Sequence, residues 1–102
     1  MMRQTYQAET EDVKWFDLEK AKEFKEDSDW DGNNNISVAT GSQLNHECLY
    51  LTRKGSWVKN WWSQWQGSIG RWEEISVEDA AQWLLKNGHP LPDGVDAEDF
   101  EG

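Results

Sequence analysis

The sequence has a single cysteine, Cys48, which excludes an internal disulfide. Cys48 lies in an apolar, strand-like run, and its simplest role is that of a small buried hydrophobe. No apolar run approaches the roughly 18 residues of a membrane span, and the N-terminus lacks the basic-then-apolar pattern of a secretory signal. A cytoplasmic protein is therefore expected, without a membrane partner. There are only two histidines, His46 and His89. "HEC" at 46–48 lacks the second histidine of the helical zinc motif, and one Cys with two separated His does not make a tetrahedral metal site. Glycine loops that cradle phosphate and the Gly-x-Ser-x-Gly elbow are both missing. Cys48 beside His46 has no third group to orient it as a nucleophile pair. No catalytic residue, metal or cofactor is assigned, and the expectation is a non-enzymatic protein.

Basic residues are also scarce: ten Lys and Arg stand against twenty Asp and Glu, a net charge of −10. Residues 9–31 hold ten acids and four lysines, and residues 73–102 hold nine acids and one lysine. Between them, residues 32–72 have one acid, Glu47, and four cations, Arg53, Lys54, Lys59 and Arg71. A faintly basic centre is thus flanked by two acidic arms. Such a chain repels nucleic acid and membrane phosphates at long range and attracts basic surfaces. The competing reading is that charge only keeps the domain soluble.

Tryptophan is abundant. Eight of the 102 residues are Trp, each able to bury roughly 150–250 Å², so a small domain could build a core from few residues.

"RQTYQAETEDVKWF" reads as one or two short strands around an acidic turn. "DLEKAKEFKED" reads as a helix with Asp17 as N-cap and Leu18, Ala21 and Phe24 as a narrow apolar stripe. "DSDWDGNNNIS" alternates Asp27, Asp29 and Asp31 before Gly32, the first half of a calcium loop. The twelfth position is Val38, where that loop needs a bidentate Glu, so the segment reads instead as an acidic turn. "HECLYLTR", "WVKNWWSQWQ" and "RWEEI" are strands joined by "KGS" and "GSIG", an antiparallel meander. Ser76 begins a helix, "SVEDAAQWLLKNG", with Ser76 and Asp79 at capping-box spacing and Asn87-Gly88 as its stop signal. The expected fold is a small single α+β domain over residues 1–92, with a three- or four-stranded antiparallel sheet and one or two helices packed on it. Residues 93–102 are expected to form a flexible acidic tail.

In "WVKNWWSQWQ", Trp57, Trp61 and Trp65 alternate onto one face. They are either core or a stacking surface for a peptide, sugar or nucleotide, which is the alternative function.

"LYLTRKGSWVKNWWSQWQGS", "EEISVEDAAQWLLKNGH" and the upstream "WDGNNNISVATGSQ" together resemble a set of small acidic proteins carried by bacterial plasmids, phages and their hosts. Their pattern has a Gly turn, "WV", a "WSQWQG" strand end and an "EEAAxWLxxNGH" helix. Leu51 stands where that pattern has Arg. Some small acidic proteins of this kind are anti-CRISPR proteins. The resemblance therefore implies an inhibitor of host defence, a DNA mimic that covers a basic nucleic-acid-binding surface of a CRISPR effector subunit and blocks target DNA. The expected contacts are Glu19, Glu23, Glu26, Asp27, Asp29 and Asp31, with Glu73, Glu74, Glu78 and Asp79 as a second patch. Direct nucleic-acid binding is not expected, and a monomer is favoured over a dimer.

Overall fold

The structure, a computed structural model, describes residues 1–65 and 67–102. Among these residues, eight strands and one α-helix follow in chain order. They are β1 (Arg3–Gln7), β2 (Val13–Asp17), β3 (Lys22–Lys25), β4 (Ser28–Trp30), β5 (Asn35–Ser37), β6 (Asn45–Leu51), β7 (Trp57–Ser63), β8 (Arg71–Ile75) and α1 (Val77–Lys86). Six strands form one sheet in the order β2-β1-β8-β7-β6-β3, and β4 pairs with β5 as a separate hairpin. The meander β6-β7-β8 is antiparallel. β1 runs parallel to β8 through the pair Gln7–Glu73, so the sheet is mixed.

This corrects the expected three- or four-stranded antiparallel sheet with one or two helices. The physical reason lies in residues 18–25. Leu18–Lys20 is a single 3-10 turn, and β3 follows at once. Leu18, Ala21 and Phe24 do not share a face: Leu18 and Ala21 pack into one core and Phe24 into the other. A three-residue stripe is too narrow to hold a short helix against the cost of nucleation. Pairing with the open edge of β6, from Lys22–Leu51 to Lys25–Cys48, satisfies the backbone instead.

Chain connectivity also bends the sheet. β2 and β3 are its two edges. Five residue steps from Asp17 to Lys22 span at most about 18 Å, and six flat strands would span about 24 Å. The sheet therefore curls until its edges approach. Its inner face buries Tyr6, Ala8, Phe16 and Val58, with Leu18, Ala21, Tyr50 and Trp72 packed around them. Phe16 meets Tyr6 edge-on at 5.8 Å and Tyr50 at 5.8 Å, and Tyr50 meets Trp72 at 5.5 Å. Such aromatic pairs contribute about 0.5–1.5 kcal/mol each beyond area burial.

The outer face is covered by α1. Ala80, Trp83 and Leu84 pack on Phe24, Leu49 and Trp57, with Leu51, Ile75 and Leu91 at the margin. Ser76 caps the helix by accepting from the Asp79 amide at 3.1 Å. The helix stops at Asn87, and Gly88 follows in the left-handed region at φ +76°, where glycine has no Cβ penalty. Residues 93–102 include a 3-10 turn over Ala97–Phe100, with Val95 and Phe100 half-buried. Among the described residues, no helix is long and apolar enough to cross a membrane.

Candidate functional site

The ten acids expected as partner contacts fall into distinct environments. Two are tied into the fold. Glu26 turns inward, with a side chain 16% exposed. Its Oε1 accepts from Ser37 Oγ at 2.8 Å and from the Glu47 amide at 2.7 Å, and its Oε2 lies 2.7 Å from His46 Nδ1. One carboxylate thus joins β5 and β6 to the end of β3. Glu74, half-buried on β8, accepts from the Glu9 amide at 3.1 Å and fixes the turn after β1. Sequence reasoning missed both ties, because only the register brings Ser37, His46 and the Glu47 amide to Glu26.

Three more have weaker local partners. Glu73 lies 3.9 Å from Lys59 Nζ. Glu23 accepts a long contact from Cys48 Sγ at 3.7 Å. Glu19 reaches the Met1 amino group at 3.2 Å and lies in the rim of a separate cleft.

Asp27, Asp29 and Asp31 are all exposed and belong to the β4–β5 hairpin and its entry. Asp31 Oδ1 accepts from the amides of Asn34 at 2.7 Å and Asn33 at 2.8 Å. Those amide bonds hold its carboxyl below the usual carboxylate range. The hairpin is fastened to α1, since the Asp27 amide donates to Asn87 Oδ1 at 2.9 Å. A Cβ placed on Gly88 would meet Asp27 Oδ2 at 3.9 Å, so this carboxylate sits against the C-terminal end of α1. Carboxylates there oppose the helix dipole, at about 0.3–1 kcal/mol each. Glu78 and Asp79 occupy the first turn of the same helix, where the dipole favours them. Along α1 the two groups are eight to ten residue steps apart, about 12–15 Å of rise.

The aromatic face does not form as a unit. Trp57 is 7% exposed, buried under α1. Trp61 is half-buried and carries the Arg71 guanidinium over its ring at 4.8 Å. Trp65 is 64% exposed but lies beyond the end of β7 at Ser63, so strand alternation no longer sets its direction. Gln66, the last residue of the expected second strand, lies outside the described residues.

Cys48 and His46 share the inner face of β6, and neither is poised for nucleophilic chemistry. Burial pushes the Cys48 thiol up to about 11, so it stays protonated at neutral pH. His46 Nδ1 is held by Glu26, its ring stacks on Trp62 at 5.5 Å, and its Nε2 is buried without a partner among the described residues. Burial likewise raises the Tyr50 hydroxyl.

No family model, curated protein or solved structure matches the chain.

Proposed function

We propose that the chain is a non-enzymatic acidic interaction protein. Its exposed carboxylates cover a basic, nucleic-acid-binding surface of a partner in the manner of a DNA mimic. A CRISPR effector subunit is the partner that the sequence resemblance suggests. The observation that carries this reading is the Asp27–Asp29–Asp31 hairpin. These carboxylates are exposed, and Asp27 lies at the end of α1 where the dipole disfavours it. Asp27 Oδ1 accepts from the Ser28 amide at 2.8 Å, and the cost of setting its charge at the helix end would be offset by attraction to a basic partner. Glu78 and Asp79, about 12–15 Å away along α1, extend the negative surface. Binding of this kind is steered by charge and weakens with salt.

The aromatic alternative is less favoured, because Trp57 is buried under α1.

The test of the defence-inhibitor reading is phage plating on a CRISPR-immune host that expresses the protein. Restored plaquing is expected, and it should be lost with Asp27→Lys, Asp29→Lys and Asp31→Lys together. Unchanged immunity across several CRISPR types would contradict the defence role.

A further inference from the structure

A cleft of about 680 Å³ opens between edge strand β2 with the 3-10 turn after it and the β6–β7 hairpin turn. This is within the range of small-ligand pockets, about 300–1,000 Å³. Its lining runs against the charge of the molecule. Lys14 comes from β2, Lys20 from the 3-10 turn, and Arg53 and Lys54 from the hairpin turn. Four of the ten basic residues in a chain of net charge −10 therefore meet at one opening.

None of the four has an ion-pair partner among the described residues, and all four are exposed. The rim also carries two acids, Asp17 near Lys20 and Glu19 beside the Met1 amino group of the same lining. Asp17 Oδ1 accepts from the Met2 and Glu19 amides at 3.1 Å each. The hairpin turn is firmly built, with Ser56 N bonded to Thr52 Oγ1 at 3.0 Å and Gly55 N to Thr52 O at 2.9 Å. Arg53 and Lys54 thus project from a fixed frame. Trp15, 47% exposed, lines the same cleft, and Tyr6 and Phe16 border it as buried members of the inner core.

Four cations against two rim acids, around a concavity with an exposed Trp15, suit a ligand with phosphate groups and a flat ring. We infer that this cleft binds a mononucleotide, its phosphates held by Lys14, Lys20, Arg53 and Lys54 and its base against Trp15. A nucleic-acid strand is disfavoured, because it would have to run past the acidic arms. Charges farther than about 10 Å are screened at 0.1 M salt, so a ligand small enough to enter responds mainly to the local cations.

Calorimetric titration of the full chain with ADP tests this, with inorganic pyrophosphate and a short oligothymidylate as comparisons. The expected result is saturable one-to-one binding of ADP, tighter than that of pyrophosphate or of the oligonucleotide. Lys14→Glu with Arg53→Glu should weaken it by about tenfold per cation lost, with the near-UV circular dichroism unchanged. Lys86→Glu, outside the cleft, should leave it unaltered. The inference is overturned if ADP does not bind, if binding survives Lys14→Glu with Arg53→Glu, if pyrophosphate binds as well as ADP, or if the oligonucleotide binds more tightly. Capture of a protein partner through the Asp27–Asp31 hairpin would be independent of these substitutions.

Discussion

Carboxylates of the same formal charge have opposite roles in this chain, and single substitutions should separate them. Glu26→Ala removes the acceptor for Ser37 Oγ, the Glu47 amide and His46 Nδ1. Leaving these part-buried groups unsatisfied should cost about 2–4 kcal/mol, read as a lowered urea midpoint. Asp29→Ala, on an exposed carboxylate, should stay within about 0.5 kcal/mol of wild type. Equal effects would show that the two acids are not distinguished in the way described. Cys48 gives a pH signature. Its thiol rises from the ordinary 9.0 to about 11 on folding, so the folded state disfavours the thiolate that the unfolded chain forms more readily. Stability should be unaffected by this group below about pH 9 and fall as pH rises from there toward 11. Iodoacetamide at pH 8 should label Cys48 slowly in the native protein and rapidly in urea; rapid native labelling would contradict its burial. Sequence patterns cannot assign these roles, because Glu26 and Asp29 sit in one acidic run and differ only in what the register brings to them.

Elements with a strong local signal were legible. The central strands form at β6, β7 and β8, with Leu49 and Leu51 opposite Cys48 and Tyr50 as alternation requires. The helix begins at the Ser76 cap and ends at Asn87-Gly88. Ser76→Ala should therefore cost about 1 kcal/mol, measured by thermal or urea unfolding, and no loss would mean that the cap does not stabilise α1. Residues 18–25 were misread because Leu18, Ala21 and Phe24 recur every third position. In the fold that spacing distributes them between two cores on opposite sides of a sheet. Local pattern cannot distinguish a helical face from a chain crossing a sheet edge. The open edge of β6, which decides the matter, is more than twenty residues away.

At the scale of the molecule, neither the curl of the sheet nor the parallel pairing of β1 with β8 was readable. Both follow from contacts distant in sequence. The curl separates charge. Lys14 and Lys20, embedded in an acidic arm of the sequence, join Arg53 and Lys54 at one cleft, while the Asp27–Asp31 hairpin is fastened to the end of α1. The acidic hairpin as a partner surface is the central claim. Its most direct measurement is a paired pull-down from lysate of a CRISPR-bearing bacterium, eluted with a salt gradient and with competing target DNA, and read by mass spectrometry. One bait is the wild-type chain. The other carries Asp27→Lys, Asp29→Lys and Asp31→Lys, which moves the net charge from −10 to −4 by three acids lost and three cations gained. The account predicts that wild type retains a nucleic-acid-binding protein released by both salt and DNA, and that the triple variant, folded by circular dichroism, does not. Equal retention by both baits, or a partner indifferent to salt and DNA, would contradict it.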